Sequence, residues 1–280
     1  MKLKRRILWT AAALGALGLG LLVFAYATAV RTPVVRHASV AMHGWPQGEE
    51  PIDALLISDI HVAGPDMPPE RLARIVDQIN ALEPDLVLIA GDLVSDKRTA
   101  TRFYSMADAV APLAGLRPRL GTIAVLGNHD HWRDAGEARA ALKKAGIRLL
   151  DNAAVQAGPV AVGGLDDDFT GRANVPATVA ALRRLKGGRL ILSHSPDPFP
   201  DLPADVTLTA AGHTHCGQIS LPLIGPLTTM SRHGRRYACG VVREEGRTLV
   251  VGAGVGTSVL PLRLGAVPDM WLVRLGPPKR

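Results

Sequence analysis

The chain has 280 residues, of which 47% are hydrophobic, and a formal net charge of +7. These values exclude a disordered or fibrous protein and allow one domain of ordinary to large size or two small ones. Subtracting the four positive charges of the first six residues from +7 leaves +3 on the rest. The basic composition is therefore no sign of nucleic-acid binding, and no nucleic-acid partner is expected.

The N-terminal segment predicts a membrane span. Residues 7–30 form a run of 24 residues without a charged side chain, which is long enough to cross a bilayer as a helix. A cleavable signal peptide is the alternative, because residues 25–27 (Ala-Tyr-Ala) resemble a cleavage site. Four basic residues before the run, against Arg31 and Arg36 after it, predict a cytoplasmic N-terminus and a domain on the extracytoplasmic side of the cell membrane.

The chain divides into three regions along its length. Residues 1–30 are a transmembrane anchor or a signal segment, and residues 31–50 are a linker or edge strand. Residues 51–280 then form one α/β domain with a β-rich end, because short apolar runs alternate there with segments of helical periodicity.

The predicted elements of this domain follow in chain order. The first six alternate between strand and helix: strand 52–58, helix 69–82, strand 86–90, helix 103–116, strand 122–126 and helix 137–145. Further strands are predicted at 160–163, 190–193 and 206–210, with a helix at 175–185. Around Val241, at 249–251 and at 271–275 the chain is predicted to be mainly β.

Side chains of metal-binding type follow five of the predicted strands. The runs are LLISDIH, LVLIAGD, IAVLGNHD, LILSH and TLTAAGHTH. They supply Asp59, His61, Asp92, Asn128, His129, Asp130, His194, His213 and His215. Because ligands of α/β sheets bind beyond the carboxyl ends of strands, these side chains are expected to share one site.

Spacing and chemistry refine that prediction. In extended backbone, residues i and i+2 point to the same side, so Asp59 and His61 can address one site, as can His213 and His215. Oxygen and imidazole ligands without thiolate suit Mn, Zn or Fe, and the set exceeds what one ion needs. Two divalent ions would attract a phosphate ester and activate a water for its hydrolysis.

The series D-x-H, G-D, G-N-H-D, H and G-H-T-H resembles the calcineurin-like metallophosphoesterase superfamily over roughly residues 50–277. The resemblance implies an α/β fold, a β-sandwich flanked by helices around a two-metal site. It implies one ion held by Asp59, His61 and His215, a second held by Asn128, His194 and His213, and Asp92 as the bridge. His129 is then the catalytic residue beside the phosphate, where it stabilises charge or protonates the leaving oxygen.

The N-terminal segment, AGHTHCGQISLPLIG and GVGTSVLPLRL resemble a bacterial membrane-associated phosphodiesterase group, some of whose neighbours cleave the pyrophosphate of UDP-diacylglucosamine. This implies a phosphodiesterase or pyrophosphatase that hydrolyses a lipid-linked phosphate at the membrane by attack of a metal-bound hydroxide. A broad-specificity phosphomonoesterase or phosphoprotein phosphatase is the alternative. A catalytically idle membrane-anchored binding module is an alternative of another class.

Some features stay open in the sequence. Many protein-phosphatase relatives have an aspartate three residues after the bridging one, but Ser95 stands there and Asp96 follows, so the partner of the catalytic histidine is undecided. Arg232 and His233 are candidates for binding an anionic head group of the substrate. The pairing of the two cysteines, the natural substrate and the oligomeric state are not given by the sequence.

Overall fold

The computed structural model describes residues 2–278, which contain five α-helices and fourteen strands. The helices are α1 (Lys2–Val30), α2 (Pro69–Asn80), α3 (Met106–Val110), α4 (Asn128–Lys144) and α5 (Val175–Leu182). The first seven strands are β1 (Val34–Ala41), β2 (Ile52–Ile57), β3 (Leu86–Ala90), β4 (Thr122–Val125), β5 (Arg148–Leu149), β6 (Ala153–Ala157) and β7 (Val160–Gly164). The others are β8 (Gly188–Leu192), β9 (Leu208–Ala211), β10 (Ser220–Leu221), β11 (Gly225–Pro226), β12 (Gly240–Glu244), β13 (Arg247–Val251) and β14 (Asp269–Gly276).

The strands form two six-stranded sheets and a short hairpin. The first sheet has the order β1-β14-β2-β3-β4-β5, and its strands β2 to β5 are parallel. The second has the order β12-β13-β9-β8-β7-β6, and β13, β9, β8 and β7 are parallel. Within residues 2–278, strands β10 and β11 pair only with each other. The parallel strands of both sheets therefore bring their carboxyl ends to one end of the domain.

The two sheets pack face to face around an apolar core. Leu56 and Leu88 of the first sheet and Val162 and Leu190 of the second belong to this core. Helices α2, α3 and α4 cover the other face of the first sheet, and α5 covers the second. Every residue of β3 is buried, as expected for a parallel strand that is covered on both faces. The predicted β-sandwich flanked by helices is confirmed.

Helix α1 is a candidate membrane span. It has 29 residues, a mean hydropathy of 2.1 in its most apolar window, and no burial of that window. Only Ala25 and Ala29 are buried, so the helix contacts the domain at its C-terminal end. There the N–H of Arg263 donates to the Ala25 carbonyl at 3.0 Å, and Arg71 Nη2 donates to the Ala29 carbonyl at 3.0 Å.

Helices α2 and α5 end two and three residues earlier than predicted, and two other predicted helices differ more. The helix predicted at 103–116 is split into α3 and a 3-10 helix at Ala111–Gly115, which contains Pro112, a residue without an N–H to donate. Helix α4 begins nine residues earlier than predicted, at Asn128, and has non-helical backbone at Asp134 (φ −173°, ψ 102°). The Asp134 carboxylate accepts a hydrogen bond from the Glu137 N–H at 2.9 Å. This bond caps the part of α4 at 137–144 that lies within the predicted helix. Strands β5, β6, β10 and β11 were not predicted.

Candidate metal centre

The seven predicted ligands converge beyond five strands, and all seven are buried. Asp59 and His61 follow β2, Asp92 follows β3, Asn128 begins α4 directly after β4, His194 follows β8, and His213 and His215 follow β9. Strands β2, β3 and β4 belong to the first sheet and β8 and β9 to the second. The two sheets therefore both contribute side chains to one cluster.

The ligands lie in tight turns rather than in extended strands. The backbone has positive φ at five of them: Asp59 (49°), His61 (50°), Asp92 (55°), His213 (70°) and His215 (51°). The prediction that i and i+2 align through extended backbone is therefore wrong, because β2 ends at Ile57 and β9 at Ala211. Left-handed backbone at a residue other than glycine costs about 1–3 kcal/mol and persists where the surroundings impose it, as at functional sites.

One group of ligands consists of Asp59, His61 and His215. Their ligand atoms lie within 4.8 Å of one another. The Nε2 atoms of His61 and His215 are 3.1 Å apart, and His215 Nε2 is 3.4 Å from Asp59 Oδ1. These three side chains are the set that the family resemblance implied for one ion.

A second group surrounds His194. Its Nε2 atom lies 3.1 Å from Asn128 Oδ1 and 3.1 Å from His213 Nδ1. The Oδ2 atom of Asp92 lies 3.3 Å from His194 Nε2 and 3.4 Å from His61 Nε2. Asp92 Oδ2 thus lies between the two groups of ligands.

These distances fit donors that surround a metal ion. Two ligand atoms that each bind the same metal ion at about 2.1 Å lie about 3.0–3.4 Å apart when the ligand–metal–ligand angle is between the octahedral and the tetrahedral value. Carboxylate, amide and imidazole donors are also the set that divalent ions such as Mn, Zn and Fe accept. The spacing and the chemistry of these Asp and His side chains therefore both fit the binding of divalent metal.

Hydrogen bonds orient two of the imidazoles. His194 Nδ1 donates to the Ala90 carbonyl at 2.7 Å, and His213 Nε2 donates to the Met230 carbonyl at 3.2 Å. In each ring the opposite nitrogen, His194 Nε2 or His213 Nδ1, then faces the cluster. Such bonds fix the tautomer and ring orientation that metal binding requires.

Burial keeps several of the histidines neutral. Burial lowers the pKa of His213 to about 4, and it holds the pKa values of His61 and His215 well below their usual range. For Asp92, burial acts to raise the pKa, but His194 and His129 outweigh it and hold the pKa well below its usual range. For His194, burial acts to lower the pKa, but Asp92 outweighs it and holds the pKa well above its usual range. At neutral pH the other three imidazoles therefore offer lone pairs and Asp92 is a carboxylate, the states that bind metal.

Gly127 allows the cluster to form. A Cβ atom there would lie 2.7 Å from the Asp92 backbone nitrogen and 2.8 Å from His194 Cε1. Gly127→Ala is therefore expected to displace both ligands and to lower the free energy of unfolding by about 1–3 kcal/mol, with loss of bound metal. Thermal unfolding and metal analysis measure both effects.

Gly136→Ala is the control for this variant, since its Cβ would meet only the Asp134 carboxylate, at 3.1 Å. Full metal content in Gly127→Ala would contradict the prediction.

His129 lies beside the cluster and has a carboxylate partner. Its side chain is 12% exposed, and its Nδ1 is 2.5 Å from Asp96 Oδ1. Its backbone N–H donates to Asp92 Oδ1 at 2.9 Å. Asp96, not the residue at position 95, therefore supplies the carboxylate, and the Ser95 hydroxyl accepts the Lys97 N–H instead.

Two buried residues support the ligands, although neither was among the predicted site residues. Asp130 accepts the backbone N–H groups of Asp92, Leu93 and Gly127, which holds two ligand loops together. Arg263 is completely buried and donates to the carbonyls of residues 253, 254 and 256, with Nη2 3.3 Å from His215 Nδ1. Their only sequence signals were the last position of G-N-H-D and the arginine of GVGTSVLPLRL.

The structure places Arg232 and His233 outside the cavity beside the cluster. The guanidinium of Arg232 donates to the Asp168 carboxylate at 3.1 Å and to the Asp197 carbonyl at 3.0 Å. The His233 ring packs against Tyr237, with centroids 5.1 Å apart. Neither residue is brought together with the metal-binding side chains.

Cys216 and Cys239 form a disulfide, with Cα atoms 4.8 Å apart. Cys216 directly follows His215, and Cys239 precedes β12. The bond therefore ties a ligand loop to the edge of the second sheet.

A cavity of about 390 Å³ opens over the ligand cluster. Its polar side is formed by Asp92, Asn128, His129, His213 and His215. Its large apolar side chains are Trp132, Phe169, Ile219, Leu227, Met230, Val259 and Leu260. A molecule bound here would have a polar group at the cluster and an apolar part against these walls.

Comparison with known proteins shows which family the chain resembles. A family model described as calcineurin-like phosphoesterase matches residues 53–217. The chain is 30% identical over 246 residues to the uncharacterized metallophosphoesterase YkuE of Bacillus subtilis (strain 168), which covers 82% of this chain and 81% of that protein.

A transmembrane protein with metallophosphoesterase domain from Danio rerio is 28% identical over 264 residues, or 88% of this chain, and the chain spans 58% of that relative's length. Among solved structures, a 5'-nucleotidase precursor from Thermus thermophilus is similar, with a TM-score of 0.45 and 17% identity over 80% of this chain and 55% of that one. The chain belongs to the calcineurin-like phosphoesterase family and carries a metallophosphoesterase domain.

Proposed function

We propose that the chain is a two-metal phosphodiesterase or pyrophosphatase that hydrolyses a lipid-linked phosphate ester at a membrane. The observation that carries this proposal is the apolar cavity of about 390 Å³ directly over the ligand cluster. Its volume is in the range of small-molecule sites, and its walls suit the apolar part of an ester.

The seven ligands support the chemistry of the proposal. Two divalent ions held by Asp59, His61 and His215 and by Asn128, His194 and His213, with Asp92 between them, would activate water and offset the charge of the phosphate. His129 is close enough to the cluster to protonate a leaving oxygen, and its contact with Asp96 orients the ring.

Helix α1 and the disulfide support a location at the membrane with the domain on its extracytoplasmic side. The helix is long and apolar enough to cross a bilayer, and the Danio rerio relative is named as a transmembrane protein. Disulfides persist mainly in oxidising compartments outside the cytoplasm. The surplus of basic residues before the helix predicts the same orientation.

Hydrolysis assays on the full chain test this function. The protein is purified in detergent, stripped of metal, and reloaded with Mn, Zn or Fe(II). It is then given a soluble phosphodiester, a soluble phosphomonoester and UDP-diacylglucosamine. We expect metal-dependent hydrolysis of the phosphodiester and of the lipid pyrophosphate, binding of two ions per chain, and loss of activity on chelation.

The same assay separates the alternatives. Faster hydrolysis of the phosphomonoester would favour a broad-specificity phosphomonoesterase or phosphoprotein phosphatase. Bound metal without hydrolysis of any substrate would indicate a catalytically idle binding module.

A further inference from the structure

We propose that the β10–β11 hairpin and the loop at residues 258–260 insert into the lipid bilayer beside α1, so that the cavity opens towards the hydrocarbon. The occupant of this surface is the bilayer itself. The inference rests on the proposed function, because it takes α1 as a membrane span and a lipid ester as the substrate.

Exposed apolar side chains are concentrated at this surface. Leu223 and Ile224 at the hairpin tip are 109% and 56% exposed, and Val259 and Leu260 are 69% and 41% exposed. Of the nine large apolar side chains that are exposed in residues 31–278, eight lie in this hairpin, in this loop or on the cavity walls. Clusters of this kind mark a surface that binds an apolar partner.

Hydrogen bonds join this surface to the end of α1. Gln218 Nε2 donates to the Leu260 carbonyl at 3.0 Å, and the Ser220 N–H donates to the Leu264 carbonyl at 2.7 Å. The residue before Leu264, Arg263, donates its N–H to the Ala25 carbonyl of α1 at 3.0 Å.

Helix α1 therefore first contacts the domain at the segment that carries the hairpin and loop. Residues 2–24 are exposed, Ala25 and Ala29 are buried on one side of the helix, and Tyr26 and Ala27 are exposed on the other. The hairpin tip at Leu223 is three residues from Ser220, which is at most about 10 Å of extended chain. The tip is thus within reach of the membrane plane that α1 defines.

The charge pattern favours lipid over a protein partner. Residues 217–230 and 254–262 contain no charged side chain, and a basic segment with Arg232, Arg235 and Arg236 follows the first of them. The Arg235 guanidinium lies against the hairpin turn, since a Cβ at Gly225 would be 3.1 Å from its Nη1. An apolar tip with basic residues at its base suits hydrocarbon and anionic head groups respectively.

The cavity shares residues with this surface. Val259 and Leu260 belong both to the exposed loop and to the cavity wall, which also contains Trp132 and Phe169. With the loop in the bilayer, the acyl part of a lipid can enter the cavity while its phosphate reaches the ligand cluster. Such a substrate would not need to leave the hydrocarbon completely.

Photolabelling from lipid tests the insertion. The full chain is reconstituted in nanodiscs of phosphatidylcholine and phosphatidylglycerol that include a phospholipid with a diazirine on its acyl chain. After irradiation, the labelled peptides are mapped by mass spectrometry. We expect label on α1, on residues 221–227 and on residues 259–260. Label on α1 alone would overturn the proposal and leave the hairpin as a surface for a protein.

A variant of the hairpin tip tests its importance for the substrate. Leu223→Asp/Ile224→Asp changes two residues that are not on the cavity wall, and Ala140→Asp/Ala180→Asp adds the same charge at exposed positions of α4 and α5. For the tip variant we expect a KM for UDP-diacylglucosamine in nanodiscs about tenfold higher than for wild type. Its kinetics on a soluble phosphodiester and its melting temperature should match those of the control.

The two substrates separate this proposal from the proposed function. An unchanged KM for the lipid substrate in the tip variant, or an equal loss with both substrates, would overturn the proposal. Failure of wild type to hydrolyse even the soluble phosphodiester would contradict the proposed function. The photolabelling pattern would still decide the insertion, because labelling requires no turnover.

Discussion

Replacing Asp92 by asparagine is expected to lower turnover of a soluble phosphodiester about a thousandfold and to reduce bound metal. The reason is the position of Asp92 Oδ2, which lies 3.3 Å from His194 Nε2 and 3.4 Å from His61 Nε2. An asparagine side chain has one carbonyl oxygen and no charge, so it would serve two cations poorly. The amide group would also bring N–H donors towards imidazole lone pairs that face the cluster.

Metal analysis and steady-state kinetics on the purified variant measure this effect. Asp77→Asn is the matched control, because Asp77 is exposed on α2 and the substitution removes the same charge. Near-normal metal content together with near-normal kcat in Asp92→Asn would mean that the two ligand groups do not share this carboxylate.

Replacing His129 by alanine is expected to separate turnover from metal binding. The kcat should fall about 10²–10⁴-fold, the usual contribution of general acid–base catalysis, while metal content and melting temperature stay close to wild type. The partly exposed ring beside the cavity and its Asp96 contact are the physical reasons. Asp96→Asn should cause a smaller loss, because it affects only the orientation and charge of the ring.

The control for this variant is His37→Ala, an exposed histidine of β1. The structure also defines the result that would contradict the prediction. A ring nitrogen of His129 lies within 4.8 Å of ligand atoms of His61 and Asp92. Loss of metal in proportion to activity would therefore identify His129 as a ligand rather than as an acid.

The strands that lead into the site were predictable from the sequence because their physical requirements are simple. The run LVLIA is apolar throughout, as a strand buried on both faces must be, and β3 has the predicted bounds Leu86–Ala90. The motifs that follow such strands must lie at the carboxyl edge of the sheet, so the convergence of Asp59, Asp92 and His194 could be expected.

Local backbone geometry was not predictable in the same way. The first turn of α4 has the sequence N-H-D-H. A helix start is recognised from apolar residues at helical spacing, and this turn has polar site residues instead, so its helical structure could not be predicted. Positive φ at Asp59 and His213 depends on tertiary contacts, such as the His213 N–H that donates to the Asp59 carboxylate at 3.0 Å.

Side-chain partners were also beyond the sequence. Neighbouring residues Ser95 and Asp96 point in different directions, and only the folded loop decides that the second meets His129. Arg232 donates hydrogen bonds to Asp168 and Asp197, which are far from it in the sequence, so no local sequence pattern could predict these contacts. A role of Arg232 and His233 in substrate binding stays a prediction without a contact to support it.

The two ligand groups also have a mechanical consequence, because each takes side chains from both sheets. Asp59 and His61 follow a strand of the first sheet and His215 a strand of the second, while Asn128 faces His194 in the same way. Ions bound there would cross-link the two layers at one end of the sandwich, and their binding free energy would add to its cohesion. Removing them would loosen the structure first at the edge where catalysis takes place, so the layers would begin to separate there as activity is lost.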